Sequence, residues 1–299
     1  MKNRKVRRGQ KLSVSEEQRI GGGAASWVYA LDDGNVVKVL KHGGPEDAER
    51  EILLSKWAFL KGIPTAISYD VADVDGRQGL VYENLGRENL RNAFRNHPER
   101  FDELMQEYLT LLHTINGTTD DEGYLPSAID KYRLSLDRIS DLLTAEEIAK
   151  TKALLESVPE STAIVHGDCQ IKNVRVVNGK LFLIDLDTLS KGDPIFELAA
   201  LFCCYRCYPA LSEQSYDTFF DIPTETLFRI LGGVLDGYYP GLPEEVREEN
   251  ARKTALLGWL LTAGYVRHDS PEDSASLKLL LDRFRETLAV VDDLCLSSK

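Results

Sequence analysis

Asp168, Asn173 and Asp185 bring three side-chain oxygen acceptors into one short stretch, residues 164–187. Within it, Asn178-Gly179 is a two-residue hairpin signal between the β-prone runs 174–177 and 180–184. Folding about that turn sets Asn173, just before one strand, opposite Asp185, just after the other. An amide oxygen and a carboxylate at the open end of a rigid hairpin are hard ligands. They suit Mg²⁺, which keeps several waters and shares its remaining positions with phosphates. Asp168 ends the short apolar strand 163–165 and lies one loop upstream, in reach of a substrate hydroxyl. Aspartate and asparagine beside turns commonly cap backbone groups, but capping accounts poorly for three acceptors around one loop and hairpin.

A second chemical signal lies far upstream. Gly21, Gly22, Gly23 and Ser26 fall between two strand-like runs, where a hairpin tip can bring backbone amides close to phosphate oxygens. This is neither the GxxxxGK[ST] loop nor the dinucleotide fingerprint, because a strand follows it rather than a helix. Lys38 is the lone charge inside an apolar strand. It reads either as a snorkelling edge residue or as a cation for nucleotide phosphates. Glu46, Glu49 and Glu51 follow on a helix that opens at Pro45. Glu51 directly precedes Ile52-Leu53 and is the preferred partner for Lys38, with Glu49 second.

The elements that must position these groups follow from periodicity. Strands are expected at 18–20, 27–31 and 35–40, with Asp32-Asp33-Gly34 as the turn between the last two. A helix from Pro45 to Leu60 is terminated by Gly62 and Pro64, and two strands, 67–74 and 79–82, are split by Asp75-Gly76. After Glu83 the chain reads as mainly helical. Pro98 opens a helix whose apolar face is Phe101, Leu104, Met105, Tyr108, Leu111, Leu112 and Ile115. Further helices are expected at 132–143, 146–157, 196–208, 226–238, 244–265 and 272–294, with the β-like stretch 163–187 as the exception.

Composition narrows the function classes. The 299 residues carry 36 Lys+Arg against 48 Asp+Glu, a net charge of −12, which argues against a binder of duplex nucleic acid. The most apolar run, 254–266, contains Gly258 and Gly264, is flanked by Lys253 and Arg267, and is too short to cross a bilayer. The basic start, Met1 to Arg8, has no apolar segment after it and reads as a solvated strand or tail rather than a secretory signal. The five cysteines do not form a disulfide framework, and Cys204-x-x-Cys207 lacks the second ligand pair of a zinc site. A reduced, cytoplasmic protein is the expectation.

Taken in order, the glycine-rich hairpin, Lys38, Glu51, His166-Gly-Asp168-x4-Asn173 and Ile184-Asp185 resemble the protein-kinase-like phosphotransferases. Within these the sequence looks most like the aminoglycoside phosphotransferase and choline kinase superfamily, whose loop is His-Gly-Asp-x4-Asn. Lys191-Gly-Asp193-Pro-Ile-Phe-Glu197-Leu-Ala199 is similar to that family's Gly-Asp-Pro-x-x-Asp-Leu-Ala, with Glu197 in place of aspartate. The motifs cover residues 20–200, and the remaining helices agree in character only.

The resemblance implies an α+β, bilobal protein-kinase-like fold. A small antiparallel-sheet lobe, residues 1–84, would bind ATP. A larger, mainly helical lobe, 85–299, would carry the catalytic loop 164–187 and the acceptor-binding helices. It implies that Gly21, Gly22, Gly23 and Ser26 approach the phosphates, that Lys38 holds them and pairs with Glu51, and that the backbone around residues 82–85, at Glu83 and Leu85, binds adenine. Asp168 would orient or deprotonate the acceptor hydroxyl, Asn173 and Asp185 would hold Mg²⁺, and His166 would brace the loop. Asp187 would support the site or face substrate. Two departures matter. Lys172 would add a cation near the transferring phosphoryl group, and Ala24-Ala25-Ser26 lacks the last glycine of GxGxxG. The implied activity is transfer of the γ-phosphate of ATP to a hydroxyl of a small molecule, an aminoglycoside-like or amino-alcohol acceptor. A protein substrate is disfavoured, since 185–197 leaves no room for a long activation segment. The alternative is a nucleotide-binding pseudokinase or scaffold, against which the presence of Lys38, Asp168, Asn173 and Asp185 speaks.

Overall fold

Alternating apolar positions draw the first part of the chain into strands. A computed structural model describes residues 9–23 and 25–298. The basic run 1–8 and Ala24 of the glycine-rich turn lie outside the described residues. In chain order come β1 (Gln10–Leu12), β2 (Arg19–Gly22), β3 (Ser26–Ala30), β4 (Val36–Leu40), α1 (Pro45–Leu60), β5 (Ser68–Val74) and β6 (Arg77–Tyr82). The strands form one sheet in the order β1-β5-β6-β4-β3-β2. It is antiparallel except at its edge, where β1, too short to be legible in the sequence, runs parallel to β5.

The period of two along β4 decides where Lys38 goes. Val37 and Val39 pack with Tyr29, Ala72, Val74 and Val81 on one face. Leu40 packs with Ala48, Ile52 and Leu80 on the other, against α1. Lys38 alternates with the two valines and so shares the α1 face; a register slip of one residue would drive its charge into the valine cluster. Pro45 sits in the first turn of α1, where a missing N–H costs nothing, and Gly62 follows the helix at φ 88°.

The rest is mainly helical: α2 (Leu90–Asn96), α3 (Phe101–Asn116), α4 (Ile129–Ile139), α5 (Ala145–Ser157), then β7 (Ile164–Val165), β8 (Val174–Val177), β9 (Lys180–Leu183) and β10 (Ser190–Lys191). After these come α6 (Ile195–Phe202), α7 (Tyr208–Leu211), α8 (Glu213–Phe220), α9 (Thr224–Gly237), α10 (Glu244–Asp269) and α11 (Ser274–Leu288). Between α6 and α7 the helix runs through a π-helical turn, Cys203–Cys207. The apolar run at 254–266 lies within α10, and its two glycines are close-approach sites. A Cβ at Gly258 would lie 2.6 Å from Phe202, and one at Gly264 would lie 2.5 Å from Ser135. No helix among the described residues is long and apolar enough to cross a membrane. The final helix stops at Leu288 rather than at 294, and α2 and α8 were not expected. Pro98 opens a single 3-10 turn ahead of α3.

Two compact units result. One is the described chain up to Leu90 together with Asn173–Asp187, and the other is Arg91–Lys172 with the residues from Thr188 on. The sequence-based boundary at 84/85 kept 164–187 whole within the helical lobe. The hairpin β8–β9 instead joins the sheet unit, because Leu183 N donates to Pro64 O at 2.7 Å and Thr65 Oγ1 donates to Leu183 O at 2.9 Å.

Candidate active site

In the sheet unit, a pocket is walled by apolar Ile20, Val28, Val36 and Ile184, with Lys38 and Asp185 among its polar groups. Lys38 Nζ donates to Glu51 Oε1 at 2.9 Å and to Asp185 Oδ1 at 2.8 Å. Burial alone would lower the pKa of Lys38; the carboxylates of Asp185 and Glu51 override it and hold the ammonium charged. Burial pushes the Glu51 carboxyl up, and Lys38 offsets that only in part. Tyr82 OH adds a third contact, donating to Glu51 Oε1 at 3.1 Å. Burial, reinforced by the Glu51 charge, raises the Tyr82 phenol.

The hairpin supplies the other groups. Asn178 and Gly179 both take positive φ, 51° and 73°, as the two central residues of its turn require. The register pairs Val174 with Leu183 and Val177 with Lys180, and Ile184 N donates to Asn173 O at 3.0 Å. Asn173 and Asp185 therefore flank the open end of one rigid hairpin. Asp185 is left-handed at φ 58°, a conformation held against its cost by the surrounding structure. Among the described residues no group of three His, Cys, Asp or Glu side chains forms a complete metal cage. An amide oxygen and a carboxylate fit a hard divalent cation whose remaining positions go to water and phosphate, which is the habit of Mg²⁺.

Glu83 and Leu85 also line the pocket. Gly21 and Gly22 belong to β2 rather than to a loose tip, and Gly23 N donates to Ser26 O at 3.0 Å across the turn. A Cβ at Gly22 would come within 2.9 Å of Ser26 O, so the strands close tightly there. These tip residues do not line the pocket; Ile20 and Val28, on either side of them, do. Sequence reasoning missed Arg175, which lines the pocket from β8 and donates to Arg87 O at 3.2 Å. Its one signal was a charge inside an apolar strand, the same signal that singled out Lys38.

In the helical unit, the loop after β7 is held from beneath by Glu197 of α6. Its carboxylate accepts His166 N at 2.5 Å and Gly167 N at 3.3 Å. Burial pushes the Glu197 carboxyl up to about 6, the amides of His166 and Gly167 resisting. Gly167 takes φ 76°, a left-handed turn open to glycine. His166 is fully buried; its Nδ1 accepts Asp168 N at 3.2 Å and its carbonyl accepts Thr188 Oγ1 at 2.7 Å. Further along the loop, Ile171 N donates to Tyr205 OH at 2.8 Å, and Tyr108 OH donates to Cys169 O. The π-helical turn thus delivers Tyr205 to the loop backbone, while Cys203 and Cys207 are buried in the helical core. The loop carrying Asp168 is fixed through its backbone.

The fold is that of the protein-kinase-like proteins. The sequence matches the model of the phosphotransferase enzyme family over residues 16–226, and the chain belongs to that family. No curated protein matches the sequence significantly. Solved structures similar to the chain include ADP-bound aminoglycoside phosphotransferase APH(2'')-Ib, 18% identical with a TM-score of 0.56, covering 91% of this chain and 93% of that one. A thermostable mutant of APH(4)-Ia in complex with ADP and hygromycin B is 15% identical with a TM-score of 0.58, covering 91% and 92%. A choline/ethanolamine kinase family protein from Mesorhizobium loti is 16% identical with a TM-score of 0.55, covering 91% and 86%.

Proposed function

We propose that the protein is an ATP-dependent kinase that transfers the γ-phosphoryl group to a hydroxyl of a small molecule. The observation that carries this reading is Lys38, a buried ammonium held by Glu51 and Asp185 on the wall of an apolar pocket. A charged amine kept there by two carboxylates is what a triphosphate needs, and the apolar walls suit a base. The backbone around Glu83 and Leu85 would take the adenine edge, and Gly21, Gly22, Gly23 and Ser26 would close over the phosphates. Asn173 and Asp185 would hold Mg²⁺, which when bound supplies charge neutralisation to the phosphates.

Phosphoryl transfer passes through a loose transition state, so positioning and charge do most of the catalysis. The acceptor oxygen forms a bond to phosphorus as the bond from phosphorus to the ADP oxygen breaks. The hydroxyl proton passes to the Asp168 carboxylate, whose loop is fixed by Glu197, His166 and Tyr205. Five free thiols and a need for ATP fit a cytoplasmic location. Incubation with radiolabelled ATP and a panel of hydroxyl-bearing small molecules tests the reading. Label should pass to an acceptor in wild type and fall by at least about a hundredfold in Asp168→Ala, the scale of a lost general base, with nucleotide affinity retained. Tight Mg-ATP binding with no labelled acceptor would instead make the protein a nucleotide-binding scaffold.

A further inference from the structure

One part of the helical unit is locally basic although the chain carries a net charge of −12. Arg91 and Arg95 stand one turn apart on α2, and both Nη1 atoms donate to the same oxygen, Oδ2 of Asp221, Arg91 at 2.8 Å. Lys172 of the catalytic loop stands beside them. Its ammonium donates to Phe219 O at 3.2 Å and lies 3.5 Å from the centre of the Phe219 ring. Burial, and then the charge of Arg91, lower its pKa. Two guanidinium groups thus share one carboxylate that is itself 59% exposed, with the Lys172 ammonium on the neighbouring Phe219. The Nε–H of Arg91 is buried and has no hydrogen-bond partner among the described residues. Native structures rarely leave such a donor unsatisfied, and the guanidinium fork is shaped to take oxyanions.

The cluster is attached to the loop that carries Asp168. Arg91 N donates to Ile171 O at 3.1 Å, and the half-buried Cys204 thiol feels the charges of both Asp168 and Lys172. From this juxtaposition we propose that the acceptor bears an oxyanion, a phosphate or carboxylate, besides its hydroxyl, and that Arg91, Arg95 and Lys172 hold it. The inference rests on the phosphotransferase reading and narrows its substrate class. Cationic aminocyclitols and amino alcohols would meet like charge at this position. Capping the C-terminus of α8 explains one cation near the Phe219 carbonyl; it does not require three.

The test uses the full chain, first with saturating Mg-ADP so that the nucleotide site is filled. Inorganic phosphate is titrated by calorimetry. Phosphate should bind wild type, and Arg91→Gln and Lys172→Met should each weaken it by on the order of tenfold, as loss of a charge-assisted hydrogen bond does. Asp221→Asn should tighten it severalfold, because it removes the competing carboxylate. A purely structural cap predicts the opposite or no change. No phosphate binding, equal binding in Arg91→Gln and Lys172→Met, or no tightening in Asp221→Asn each overturns the proposal. Because Asp221→Asn moves affinity upward, an unfolded variant cannot imitate the expected result. Labelled-ATP turnover on matched acceptors with and without phosphate or carboxylate should favour the anionic member through a lower KM. Asp168-dependent labelling that prefers cationic acceptors refutes the oxyanion while leaving the kinase standing. If Mg-ADP fails to bind and nothing is labelled, the kinase reading fails, and phosphate titration without nucleotide still decides the basic site.

Discussion

Glu197 holds the amides of the catalytic loop from a position without solvent exposure, and burial pushes its carboxyl from 4.5 up to about 6. A folded-state pKa above the unfolded one means that the folded protein binds the proton more tightly. The contribution of Glu197 to stability is therefore fully present below the unfolded value and is lost as pH rises through about 6. A rise of this size corresponds to about 2 kcal/mol. Glu197→Gln removes the titration but keeps one amide oxygen for the loop. The expected result is a difference in unfolding free energy, variant minus wild type, that grows by about 2 kcal/mol in the variant's favour between about pH 4 and about pH 7.5. Taking the difference cancels groups of opposite slope, such as Glu147 and Asp293, whose pKa values are lowered by hydrogen bonds from Arg285 and Lys253. Urea unfolding at several pH values measures it. Turnover at neutral pH should fall, since the Gln side chain turns an amide donor toward the Gly167 N–H. A pH slope identical to wild type would refute the assignment of a raised, buried carboxyl.

Lys38→Met should destabilise the protein by about 3 kcal/mol, because it leaves Glu51 buried without its cation; adding Glu51→Gln should recover much of the loss in urea unfolding, while ADP affinity stays low in both. Tyr205→Phe strips the acceptor from Ile171 N and should cost about 1–3 kcal/mol, with kcat falling more than nucleotide affinity in steady-state kinetics. Gly264→Ala places a methyl group 2.5 Å from Ser135 Cβ and should lower stability by about 1–3 kcal/mol. Ser135→Gly in the same chain should restore part of it in thermal melts, and no rescue would mean that the helices do not touch there.

Local chemistry was legible in the sequence wherever a few consecutive residues decide the outcome. Asn178-Gly179 announced its hairpin because both positions need φ above zero. Pro45 and Gly62 bounded α1 through a missing donor and a left-handed turn. Period two placed Lys38 on the face of its strand opposite the valines, and period 3.6 gave α3 its buried stripe. The tertiary structure alone decided which groups meet. Lys38 and Asp185 are 147 positions apart, and nothing in either neighbourhood states the other's place. The contacts of Tyr82 with Glu51, of Arg175 with Arg87 and of Tyr205 with the loop were out of reach for the same reason. Lys172, read as a phosphoryl cation, has its ammonium on the Phe219 carbonyl and ring, contacts created by α8 coming to rest there. Dihedral preference and hydrophobic period act over a handful of residues and survive in any window of the chain. A charge finds its partner only after strand register and helix packing have brought distant segments within a few ångströms, and that selection belongs to the whole fold.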